Sequence, residues 1–99
     1  MAEDEQRTQE FELREAVERI SVADTLVSLL NGVASLGFYK LSAETRDLAQ
    51  ARLAIEALRA LEPVLRERGI EEQLVRDLEQ ARTNLQLAYA KAVEEQNAG

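Results

Sequence analysis

Residues 20–41 read ISVADTLVSLLNGVASLGFYKL. Wound as a helix, this stretch is apolar on nearly every side. Val22, Leu26, Leu29, Leu30, Val33 and Leu36 fall on one face, and Ala23, Val27 and Ala34 fill much of the opposite one. Only a narrow stripe of Asp24, Ser28, Asn31, Gly32 and Ser35 is small or polar. A surface helix carries an apolar arc of somewhat more than about 100° and a polar back, so a helix this oily belongs in an interior or an interface. The sequence therefore predicts neighbours on more than two sides of it.

Outward from that stretch, the rest of the chain reads as helix. Before it, Leu13, Ala16, Val17 and Ile20 recur at the spacing of one helical face, and Phe11 is expected to anchor this leading helix. Glu10 with Arg14, and Glu15 with Arg19, are favourable i,i+4 pairs. Ser21 with Asp24 resembles a capping arrangement, leaving open whether the leading helix breaks there or runs on. Residues 1–9 are charged and almost without apolar side chains, which predicts a mobile acidic tail. After the oily stretch, Gly37 is the expected stop signal, placing the helix end at about Leu36, and Ser42 is the expected N-cap of the next helix.

The following helix keeps Leu48, Ala51, Ile55, Leu58 and Leu61 on one side, broadened by Ala54, Ala57 and Leu65. Pro63 lies inside that pattern and predicts a kink or a short separate turn. Gly69 closes the helix with Ile70 beyond it. Leu74, Leu78, Ala81, Leu85, Ala88 and Ala92 then repeat at alternating steps of four and three, a coiled-coil-like seam in a last helix running to about Glu94. So short a link around Gly69 makes these two helices an antiparallel αα-hairpin. No stretch alternates with period two, so the fold class is all-α: a small helical bundle of an apolar N-terminal helix and a long antiparallel hairpin. One domain is expected over residues 10–95, with residues 96–99 frayed.

Composition narrows the chemistry. The 99 residues contain neither Cys nor His, which removes disulfides, thiol nucleophiles, the usual general base and the soft or imidazole metal ligands. No catalytic residue, metal site or cofactor is expected, and the chain is read as not an enzyme. The formal charge is −7, and the first eighteen residues account for five of those charges. An acidic surface of this kind argues against nucleic acid as a partner. Asp24 and Asn31 interrupt the oily stretch well short of about 18 uninterrupted apolar residues, so integral membrane insertion is not expected. The expected setting is cytoplasmic.

Two sets of residues are candidates for recognition. Val22, Leu26, Ser28, Leu29, Gly32, Val33 and Leu36 form the expected oligomer interface, with Ser28 and Gly32 spaced to let backbones approach closely. Arg52, Arg59 and Arg66, seven residues apart, form a possible anion or partner stripe that could receive the acidic N-terminal segment of another subunit. Glu56 and Glu62 lie among these arginines, and a solvated face is the plainer reading. Ser21, Ser28, Ser35 and Ser42 also recur every seven residues, where structural use outweighs nucleophilic use. Asp24 without a second carboxylate suits a helix start better than acid/base work. Phe38, Tyr39 and Tyr89 are read as packing groups.

The order of elements adds a resemblance. TLVSLLNGVASLG (25–37), DLAQARLAIEALRALE (47–62) and LVRDLEQARTNLQLAYAKA (74–92) resemble the bacterial family known as domain of unknown function 1844. The matching positions are Leu36-Gly37, Ala51-Arg52, Ile55, Leu58, Leu61-Glu62 and Tyr89. The family's Asn-Leu-Thr turn is absent from VLRERGI (64–70). The resemblance implies a small bacterial cytoplasmic protein and carries no activity, ligand or catalytic residue. The function expected from the residues is a helical interaction protein, homodimeric through residues 20–36 meeting near a two-fold axis. The alternative is an adaptor or accessory subunit burying the same helix against a different protein partner.

Overall fold

The computed structural model describes residues 2–98 and is all-α among them. Helix α1 spans Ala2–Arg19, α2 Val22–Tyr39, α3 Leu48–Glu67 and α4 Glu72–Ala98. Helices α2, α3 and α4 each pack on the other two, whereas α1 packs on none of them. The result is a three-helix body with a free arm, 69 × 32 × 16 Å in extent.

The arm begins earlier than expected. Residues read as a tail are helical from Ala2, with Glu3, Asp4 and Glu5 in the first turn, where the helix macrodipole favours negative charge. Met1 lies outside the described residues. No side chain of α1 is buried, so Phe11 anchors nothing within its own chain. The helix breaks at Ile20 and Ser21. Ser21 is the N-cap of α2, its Oγ accepting from the Asp24 N–H at 3.3 Å.

Helix α2 ends at Tyr39 rather than Leu36, and Gly37 is a buried helical residue. The reason is close packing, not a left-handed turn. A Cβ at Gly37 would stand 2.9 Å from the Ala54 Cβ and 3.0 Å from Leu85 Cδ2, so only glycine lets α2 settle onto α3 and α4 together. The connector that follows is stitched by its own groups. Asp47 N–H donates to the Lys40 carbonyl at 2.7 Å, and Arg46 donates from Nη2 to the Leu41 carbonyl and to Glu95 Oε2, both at 3.1 Å. With Leu41 buried, Ser42 sits in a turn. The N-cap of α3 is instead Asp47, whose Oδ1 accepts from the Gln50 N–H at 3.2 Å.

Helix α3 passes through Pro63 as one continuous helix, without a separate turn. At its end Gly69 adopts φ +71°, and the Ile70 and Gly69 N–H groups donate to the Leu65 and Arg66 carbonyls, the paired bonds of a Schellman stop. Helix α4 returns antiparallel to α3, as the pairs Arg46–Glu95, Glu62–Arg82 and Arg66–Glu79 require. It continues to Ala98, past the expected end near Glu94; Gly99 lies outside the described residues. The core is the one the periodicity predicts: Ala51, Ala54, Ile55, Leu58 and Leu65 from α3 meet Val75, Leu78, Leu85 and Ala92 from α4. Val27, Leu30 and Ala34 of α2 close it.

Candidate interaction surface

Only part of the apolar arc of α2 is used inside the chain. At about 100° per residue, Val27, Leu30, Ala34 and Gly37 point into the body and are buried. The neighbouring stripe, Val22, Leu26, Leu29, Val33 and Leu36, steps by four and three along the helix. Leu26 and Val33 are half-buried, while Val22, Leu29 and Leu36 are 83%, 61% and 55% exposed. The predicted single face is thus split, with Leu30 turned inward and the rest left at or near the surface. Two helices cover the inward flank of α2, and the other flank stays bare.

Beside that bare flank runs a second apolar stripe, on α3. Leu53, Ala57, Ala60 and Val64 step by four, three and four. Leu53 and Val64 are exposed and Ala57 is half-buried. Between the helices lies a groove of about 450 Å³, walled by Val33, Leu36 and Gly37 on one side and Leu53, Ala54 and Ala57 on the other. Its polar lining is confined to Gln50 and Lys40. The α3 stripe was readable in the sequence from its spacing, but the stronger core seam of the same helix masks it.

The small residues named for close approach lie elsewhere. Ser28 and Gly32 are exposed on the polar edge of α2, and no atom lies within 4 Å of a Cβ built on Gly32. Asp24 is exposed in the first turn of α2. Phe38 and Tyr39 are exposed at its end, whereas Tyr89 packs partly against the core.

The arginine stripe does not act as a unit. Arg52 Nε binds Glu56 Oε1 of its own helix at 3.2 Å, and Arg66 pairs with Glu79 of α4. Arg59 has no carboxylate within 4 Å among the described residues. It lines a polar cleft of about 370 Å³ between α3 and α4, with Arg66, Glu79, Arg82 and Glu62. In that cleft the Arg82 Nε–H donates to both Glu62 oxygens, at 2.6 and 3.0 Å, and Nη1 donates to Gln86 Oε1 at 2.8 Å. Glu62 is 4% exposed, so this is an inter-helix charge pair removed from water rather than part of a solvated face. Sequence reasoning missed it because the partner is twenty residues away on another helix. The carboxylates of the cleft, Glu62 and Glu79, are held by Arg82 and Arg66, an arrangement that ties α3 to α4.

No group of three carboxylates converges among the described residues. By length and composition α2 could cross a membrane, and it is also the helix that Gly37 packs into the body. Compared with protein-family models, with curated proteins and with solved structures, the chain finds no match.

Proposed function

We propose that the chain is a non-enzymatic helical interaction protein that assembles as a homodimer through the exposed flank of α2 and the α3 stripe beside it. The observation that carries this reading is the run Val22, Leu26, Leu29, Val33 and Leu36, spaced as a coiled-coil seam yet bare where three of its members stand. Seams of this period insert side chains between those of a facing helix, and Val22, Leu29 and Leu36 stay exposed although α2 packs on α3 and α4. A contiguous apolar surface rimmed by polar residues is where soluble proteins meet one another. A closed dimer requires one self-complementary patch, which a groove flanked by two parallel stripes can supply.

The acidic surface supports a protein partner over nucleic acid, and the packing of Gly37 supports a core helix over a membrane span. The resemblance to domain of unknown function 1844 adds a bacterial cytoplasmic setting to this reading and no activity. The adaptor reading uses the same flank with a different protein. Light scattering on the purified chain with Leu29→Asp and Ser35→Ala variants separates the two. The homodimer reading requires a dimeric wild type, a dissociated Leu29→Asp and an unaffected Ser35→Ala. A folded monomeric wild type removes it and leaves the adaptor.

A further inference from the structure

The arm α1 and the groove between α2 and α3 are each incomplete, and in complementary ways. Phe11, Leu13 and Val17 of α1, and Ile20 at the break that follows it, are all more than half exposed, and α1 buries no side chain. Most of a helix's stability in a protein comes from packing an amphipathic face, and α1 packs its face on none of the other helices. Leu13, Val17 and Ile20 step by four and three, the same period as the two stripes that wall the groove.

We infer that α1 of one copy lies in the α2–α3 groove of a second copy, each arm acting as the fourth helix of its partner's bundle. The inference rests on the homodimer reading above and names the occupant of its surface. Four observations favour this occupant. First, the Ile20–Ser21 break carries α1 away from its own body, so that it touches none of the other helices. Second, the charged group lining the groove, Lys40, is opposite in sign to the net charge of α1, which carries seven carboxylates against three arginines.

Third, the area is sufficient. Phe11, Leu13 and Val17 of α1 and Ile20 beside it join Val22, Leu29, Leu36, Leu53 and Val64, all exposed on the body. At on the order of 100 Å² apiece, nine such groups match the roughly 800 Å² that each partner gives a standard stable interface. Fourth, reciprocal exchange covers both bare surfaces with one kind of contact. Pairing α1 with α1 would bury a stripe of barely two turns and leave the groove open, and pairing groove with groove would leave the arm uncovered.

The chain has no cysteine, which makes engineered crosslinks unambiguous. Chains carrying Val17→Cys are mixed with chains carrying Leu53→Cys or Val64→Cys, oxidised mildly and run on a non-reducing gel. The reduced mixtures are weighed by light scattering. The expected result is a dimer in which Val17→Cys joins a groove cysteine of the other chain, and in which Leu13→Asp with Val17→Asp weakens association by at least about tenfold. A dimer whose Val17→Cys joins only its own counterpart, or neither groove position, overturns arm exchange and leaves the homodimer standing. A monomer overturns both. A chain carrying both Val17→Cys and Leu53→Cys tests the arm against its own groove: a monomer whose two cysteines close on each other shows the arm folding back, and also overturns the exchange.

Discussion

Gly37 of α2 and Ala54 of α3 approach so closely that a Cβ on the glycine would stand 2.9 Å from the Cβ of the alanine. Leu85 of α4 closes the same spot from the other side, at 3.0 Å. This three-helix junction sets how deeply α2 sits, and hence which half of its apolar arc is left outside.

Gly37→Ala should therefore destabilise the fold, by about 1–3 kcal/mol for a group forced into a packed site. The matched control is Gly32→Ala, which meets no atom within 4 Å and replaces a helical glycine. It should be neutral, or stabilising by roughly 0.5–1 kcal/mol. Urea unfolding followed by circular dichroism measures both, and equal effects at the two positions would contradict the junction.

The Glu62–Arg82 pair makes a second prediction. Arg82→Ala strands a carboxylate that is 4% exposed, at a cost of about 3–5 kcal/mol when a buried pair is broken. The Arg82 side chain keeps 24% of its surface, which places the effect at the lower end of that range. Glu62→Met combined with Arg82→Leu should recover most of the loss, since apolar groups of similar volume often replace such a pair without penalty. A double variant no more stable than Arg82→Ala would show that the pair contributes more than mutual neutralisation.

Helix caps give a third. Asp47→Ala should cost about 0.5–2 kcal/mol, because the Gln50 N–H loses its side-chain acceptor. Ser42→Ala lies in the connector and should stay within about 0.5 kcal/mol of wild type. Thermal melts that rank the two the other way would return the helix start to Ser42.

Much of this fold can be read directly from the chain. Leu58, Leu78 and Leu85 are fully buried where the four-three period puts them, and Gly69 ends α3 in the left-handed conformation that its place after Arg66 and Arg68 announces. What the chain does not display are choices between equivalent local options. A glycine after an apolar helix serves a turn or a close approach, and at Gly37 the deciding atoms belong to Ala54 and Leu85, far along the sequence. Ser42 and Asp47 are both competent caps, and burial of Leu41 with the Arg46 bridge to Glu95 selects the second. Glu62 looks like any surface carboxylate until α4 brings Arg82 to it. The apolar arc of α2 is continuous, so nothing local marks Leu30 as inward and Leu29 as outward.

The central claim is that the bare seam of α2 is covered by another copy of this chain, and sedimentation equilibrium across the micromolar range tests it most directly. The account predicts a species of twice 11.1 kDa that a Leu29→Asp, Leu36→Asp variant converts to folded monomer. A wild-type chain that stays at 11.1 kDa with native helicity at every concentration would contradict it.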